Sequence, residues 1–294
     1  MAAGTALRAA SSTSGQGRII SLAPLTVLEL DPAELVSCAA SAGYDAVGLR
    51  LLRVTDTEPQ RPTIGVTPLI RDVRRRLDDS GLRLLDIEVV RLTPDTRVRA
   101  DFTAFLETGA YLSASEVLVT GYDSDHTRVA DKLAELAELA GEYGLTPNLE
   151  PMPWTGVKNL QQGAAIMAAC GHANVGLLVD AIHYERALNT PADLSPLPAE
   201  WIRYAQVCDA VAERPQTEAE LMHQGRNARL FPGDGCIDLV SMLRALPPDV
   251  PISVEAPVTW RASPMERARA AQRAARRVVA IADGENWVQP ARPA

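Results

Sequence analysis

From residue 18 onward, short apolar runs alternate with longer stretches in which apolar positions recur every three or four residues. The short runs are RIISLA (18–23), AVGLRL (46–51), RLLDIEVV (83–90), SEVLVTG (115–121), TPNLE (146–150), VGLLVD (175–180), IRYAQVC (202–208) and PISVE (251–255), eight in all. Each has the length and apolar density of a buried strand. The clearest helical pattern lies at 126–143, where Val129, Leu133, Leu136, Ala137 and Ala140 fall on one stripe. Asp125 stands where an N-cap is expected and Gly144 where a helix stops. The same reading predicts helices near 32–42, 67–80, 100–112, 159–170, 237–246 and 263–282.

Parallel strands need crossover helices, so eight strand-then-helix units imply a parallel sheet. Eight such units close into a (β/α)₈ barrel, a TIM barrel, which commonly takes ~250 residues as one domain. A doubly wound open sheet is the rival. It opens with a glycine-rich phosphate turn after its first strand, and SLAPLTVLELDP has none. The expected organisation is a disordered N-terminal extension at 1–17, one barrel over 18–285 and a short tail at 286–294.

A barrel of this kind builds its active site from the C-terminal ends of its strands. The fifth run ends on Glu150 and the sixth on Asp180; the seventh carries Gln206 and then Asp209; the eighth ends on Glu255. Strand alternation puts Asn148 on the same side as Glu150, and Ser253 on the same side as Glu255. One acid ending an apolar strand is most simply a helix cap or a loop carboxylate. Three on nearby strands converge at the mouth and repel one another unless a cation lies between them. The sequence places no matching set of basic residues beside them. With Gln206 they offer four oxygen ligands, a set suited to one divalent metal ion, Mn²⁺, Mg²⁺ or Co²⁺, rather than zinc. Glu88 and Arg91 end the third run, as pocket lining or as an ion pair. Asp209 reads equally as a ligand-facing group and as a helix cap. Trp154 and Trp260 follow two of these strands and could wall the site or simply pack.

The net charge is −8 and no block of Lys or Arg runs along the chain, so nothing invites nucleic acid. Cys38, Cys170, Cys208 and Cys236 are scattered without a C-x-x-C pair, which suits free thiols in a reducing cytoplasm. No apolar run reaches the roughly 20 residues of a membrane span, and residues 1–17 lack the apolar core of a signal peptide.

Four segments, LEPMPWTGV (149–157), LVDAIHYERA (178–187), QVCDA (206–210) with RLFPGDGCIDL (229–239), and ISVEAP (252–257), carry a resemblance to the xylose-isomerase-like barrel superfamily, also described as sugar phosphate isomerases and epimerases. The resemblance extends over residues 18–285. It implies that Glu150 and Glu255 bind metal and exchange the substrate proton, and that Asp180 is a further ligand. It makes His183 and Arg229 the groups that hold substrate oxygens. Gln206 stands where many members carry a metal-binding histidine, and glutamine occurs there in some dehydratase-like members.

The expected function is therefore isomerisation or epimerisation of a small polyhydroxylated ketone or aldehyde, by proton abstraction next to a carbonyl through a metal-stabilised enediolate. A dehydratase of the 3-dehydroshikimate or inosose type, which abstracts the same proton and then expels a β-hydroxyl, is the alternative. No glycine-rich phosphate cradle is evident, so a phosphorylated substrate is not expected. A repair nuclease would need a histidine-rich multi-metal pattern and a basic face. A binding protein that had lost its chemistry would not keep the full carboxylate set. A homo-oligomer is compatible with the sequence.

Overall fold

The computed structural model describes residues 17–284. Both the expected N-terminal extension, apart from Gly17, and the expected tail lie outside the described residues. Nine strand segments form one all-parallel sheet. They are β1 (Ile20–Leu22), β2 (Ala46–Arg50), β3 (Arg83–Leu92), β4 (Glu116–Gly121), β5 (Thr146–Glu150), β6 (Gly176–Leu177), β7 (Val179–Asp180), β8 (Ala205–Val207) and β9 (Ile252–Val254). Their order is β6-β5-β4-β3-β2-β1-β9-β8-β7. The two ends of this ladder are the two halves of one run, interrupted at Leu178. The Leu178 amide donates to the Leu149 carbonyl at 2.9 Å, so the nearly closed barrel is carried across the gap by one residue. The eight expected runs are all present.

The described helices are α1 (Pro32–Ala42), α2 (Pro68–Ser80), α3 (Val98–Leu112), α4 (His126–Glu142), α5 (Leu160–Cys170), α6 (Ala181–Arg186), α7 (Pro191–Leu194), α8 (Glu218–Asn227), α9 (Leu239–Ala245) and α10 (Pro264–Ala282). On α4 the predicted stripe is buried, and the Asp125 carboxylate accepts from the Thr127 and Arg128 amides as an N-cap. Gly144 takes a positive φ of 72°, which ends the helix at little steric cost. Helices α6, α7 and α8 were not expected. Their sequences lack a long apolar stripe, because two are too short and α8 buries only Gln224 and Gly225. All three lie between β7 and β9, on the side of the barrel where the strands are two or three residues long.

The main core packs helix stripes against the outward faces of the strands, with Val36, Ile70, Phe105, Leu133 and Val279 among its members. A second, smaller cluster, including Ala46, Leu85, Leu118, Leu178 and Tyr204, lies apart from it. No described helix is long and apolar enough to cross a membrane.

Candidate active site at the strand ends

Strand β5 delivers Glu150, β7 delivers Asp180, β8 delivers Gln206, and Glu255 follows β9. All four side chains are buried. Gln206 gathers them. Its Nε2 lies 3.4 Å from Glu255 Oε1, and its other terminal atom lies 3.3 Å from Glu150 Oε1 and 3.1 Å from Asp180 Oδ2. With the carbonyl oxygen on that side, three oxygens face one another. A cation among them makes this arrangement favourable; otherwise the amide turns over so that nitrogen donates. Asn148 and Ser253 are fully buried two residues before the glutamates, and Asn148 Nδ2 donates to Glu116 at 2.8 Å.

Burial pushes Glu150 well above the usual carboxylate range, and the Asp180 and Glu255 charges push it further. Glu255 is raised to about 8 by burial, against the pull of Arg229. Asp180 stays below its ordinary value, because Arg229 and His183 outweigh the effect of burial. A divalent ion offsets the repulsion that holds protons on the glutamates.

His183 is brought in by α6, whose N-cap is Asp180 itself. Its Nε2 lies 3.7 Å from Glu150 Oε1 and 3.9 Å from Asp180 Oδ2, and Nδ1 has no protein partner among the described residues. Ligand atoms of Glu150, Asp180 and His183 fall within 4.8 Å of one another, so the imidazole is a second claimant for a metal position beside Gln206. Burial lowers its pKa to about 4, leaving the ring neutral at pH 7. Trp154 stands edge-on to it, ring centroids 4.7 Å apart.

Arg229 departs most from expectation. Its guanidinium is buried against the carboxylates, with Nη1 donating to Asp180 Oδ2 at 2.6 Å and Nη2 lying 2.8 Å from Glu255 Oε2. Nε donates to the Gly225 carbonyl, and Nη1 also to the Glu255 carbonyl. The carboxylates therefore do have a basic neighbour. It was invisible because the sequence separates Arg229 from Asp180 by 49 positions. One arginine against three acids still leaves a deficit of positive charge.

Asp209 does not face the cavity. Its Oδ1 accepts from the Ala210 and Ile237 amides and its Oδ2 from Gly233, so it latches the 229–239 loop that carries Arg229. Glu88 pairs with Arg50 at 2.7 Å, not with Arg91. Trp260 is half exposed and packs edge-on against Phe231.

A small cavity opens above the carboxylates. Glu150, Glu255, His183, Trp154 and Arg229 line it. A larger cleft shares only Arg50 with it and contains none of the strand-end acids, whereas Glu150 and Glu255 open onto the smaller space. Lining residues of the smaller cavity that sequence reasoning missed include Arg50, Tyr122, Gly225 and Arg226.

The profile of the xylose isomerase-like TIM barrel matches residues 36–278. The chain belongs to this family. Among curated relatives of this xylose isomerase-like chain, a 3-dehydroshikimate dehydratase of Pseudomonas aeruginosa is 29% identical over 225 residues, covering 71% of this chain and 33% of the relative. A second 3-dehydroshikimate dehydratase, from Pseudomonas putida, is 28% identical over 120 residues, 40% of this chain and 18% of its own length. The chain thus spans a third or less of these relatives. Among solved structures, the IolI protein with a binding zinc atom superposes with a TM-score of 0.76 at 19% identity, covering 90% of this chain and 98% of its own. L-ribulose 3-epimerase gives 0.67 at 19% identity, covering 92% and 96%. At such identities these two bear on the fold alone.

Proposed function

We propose that this chain is a divalent-metal-dependent enzyme that removes a proton from a carbon next to a carbonyl. Glu150, Asp180, Gln206 and Glu255 hold the ion in this reading, and Glu150 and Glu255 exchange protons with the substrate. The observation that carries it is the convergence of three buried strand-end carboxylates on Gln206, with too little positive charge beside them. When bound, Mn²⁺, Mg²⁺ or Co²⁺ supplies Lewis acidity to the carbonyl oxygen. The chain supplies the rest. The neutral His183 donates or accepts a hydrogen bond at a substrate oxygen, Trp154 excludes water beside it, and the two glutamates take and return the proton.

Returning the proton to the opposite face or to the neighbouring carbon gives an epimerase or isomerase. When the adjacent carbon carries a hydroxyl, the released electron pair instead forms a C=C bond. The C–O bond breaks, and the leaving hydroxyl takes a proton from the other glutamate to depart as water. Both Pseudomonas relatives are dehydratases, and Gln206 fits the dehydratase-like pattern, so this second reading stands beside the first. The substrate is a small polyhydroxylated carbonyl compound in either case.

Incubation with Mn²⁺ in D₂O tests both, with 3-dehydroshikimate and D-psicose as probes. Deuterium entering the carbon next to the carbonyl is expected with one probe, and ultraviolet absorbance of an aromatic product reports elimination. A purified protein that retains no Mn²⁺, Mg²⁺ or Co²⁺ and exchanges no proton with either probe sinks the reading. His183→Gln is expected to keep its metal and lose most turnover. A folded His183→Gln protein without metal would transfer the ligand role from Gln206 to the imidazole.

A further inference from the structure

We propose that Arg91 and Arg226, joined by Tyr122, form a subsite for a carboxylate on the substrate. This rests on the proposed metal chemistry and names the substrate class it acts on: a hydroxylated keto acid, not a neutral sugar.

Four arginines line the cavity. Two are neutralised by the protein. Arg229 is held by Asp180 and Glu255, and Arg50 by Glu58 and Glu88. Among the described residues, Arg91 and Arg226 lie within ion-pair distance of no carboxylate, although the chain is acidic overall. They reach the cavity from different elements, Arg91 from the end of β3 and Arg226 from the last turn of α8. Tyr122, just beyond β4, lies between them. The Arg91 guanidinium sits 5.5 Å from its ring centroid, and Arg226 Nη2 donates to its hydroxyl at 3.5 Å. Arg91 also donates to the Val54 carbonyl, which fixes one edge of its guanidinium.

The stacking of Arg91 and the place of Arg226 at a helix C-terminus each account for one cation. Neither accounts for two unneutralised guanidinium groups meeting at one phenol in the same cavity as an acid-rich floor. That arrangement is complementary to a ligand that offers metal-chelating oxygens to the floor and an anion to the arginines. Guanidinium groups recognise planar carboxylates by paired hydrogen bonds. A phosphate could use the same charges, but sites for it commonly add free backbone N–H groups from a glycine-rich turn. The glycine lining this cavity, Gly225, lies within α8 and gives its carbonyl to Arg229. Arg229, with its donors committed to the acids, is not free to take this role.

Two probes isolate the subsite without turnover. 3,4-Dihydroxybenzoate and catechol both chelate a metal and differ only in the carboxylate. Mn²⁺-loaded wild type is expected to prefer dihydroxybenzoate by calorimetry. Arg91→Met and Arg226→Met should each reduce that preference roughly tenfold, as the loss of a charge-assisted hydrogen-bonding partner does. The double variant should erase it, with catechol affinity and Mn²⁺ content unchanged. The single variants keep the test valid if the double variant does not fold. An undiminished preference in the variants overturns the subsite and leaves the metal reading standing. Tighter binding of phenyl phosphate than of benzoate, lost in the same variants, overturns the carboxylate assignment. Failure of catechol to bind the Mn²⁺-loaded wild type strikes at the metal reading instead.

Discussion

Two clusters of buried charge lie against the same cavity and differ in how their acids are balanced. In the first, Arg50 stands between Glu58 and Glu88, and Glu58 also accepts from the Val54 amide, so the ion pairs tie the loop after β2 to β3. In the second, Arg229 serves Asp180 and Glu255 while Glu150 has only the neutral side chains of Gln206 and His183 close by. In the first, each acid is paired with the guanidinium. The second retains an excess of acid, with Glu150 pushed upward by burial, Asp180 and Glu255, and Glu255 by burial, Asp180 and Glu88. In the proposed function, the first cluster fastens the barrel and the second holds a cation and a mobile proton.

Charge-removing variants in each cluster break or sharpen this contrast, and the largest effect is expected in the second. Glu255→Gln should lower kcat by about 10³-fold or more, since it removes an acid–base group and a metal charge together. Its folding stability should fall little, because a raised carboxyl gives way to a neutral amide of similar shape. Arg50→Met should do the reverse. It strands Glu88 in the interior without its partner, a loss on the order of 3–5 kcal/mol. Urea denaturation and steady-state kinetics on both variants decide. Equal stability losses in the two, or normal turnover in Glu255→Gln with metal bound, would erase the distinction.

Much of this was legible in the sequence, for physical reasons. The eight strand runs could be read because apolar density and strand length are local properties. The strand-end acids could be read because their cost is also local: a carboxylate that closes an apolar run needs an explanation wherever the chain goes next. Arg229 could be located but its direction could not, since that depends on the Asp209 latch and on the short pairings of Arg229 with Val258 and of Leu230 with Asp209. Asp209 itself misled because an acid with amide partners and an acid facing a ligand look alike in one dimension. Helix α8 escaped because its inward face consists of Gln224 and Gly225 rather than leucines. With it went Arg226, whose relation to Arg91 and Tyr122 exists only across three separate elements.

A smaller effect, read against pH, follows from the raised Glu255. Without metal, this acid holds a proton up to about pH 8 in the folded chain, whereas the unfolded chain releases it near the ordinary carboxylate value. The native state therefore binds more protons across that window, and the stability of the metal-free protein falls as pH rises from about 4.5 toward about 8. A metal ion must displace the proton. Its affinity should climb by up to about tenfold per pH unit for each glutamate proton displaced, with proton release seen by calorimetry in buffers of different ionisation enthalpy. Mn²⁺ affinity that is flat between pH 6 and pH 8 would show that the second cluster holds no proton for a metal to displace.

The smallest effect concerns the wall between cavity and helix. A Cβ at Gly225 would lie 2.5 Å from Trp154 Cη2 and 3.4 Å from His183 Cε1. The indole is rigid and already edge-on to the imidazole, so it can give way only by moving toward His183 or into the cavity. Gly225 also holds Arg229 through its carbonyl, a contact the substitution leaves in place. Gly225→Ala should therefore disturb the histidine and spare the acids. The expected result is normal Mn²⁺ content, and a severalfold loss in kcat/KM, of the kind that roughly 1 kcal/mol of misplacement produces. Helix propensity works the other way, favouring alanine by about 1 kcal/mol at an interior helical position, so thermal stability should change little. Combined with His183→Gln, the alanine should add almost nothing further to the loss, because both act on the same ring. Full additivity of the two would mean that Trp154 influences catalysis by a route other than its contact with His183.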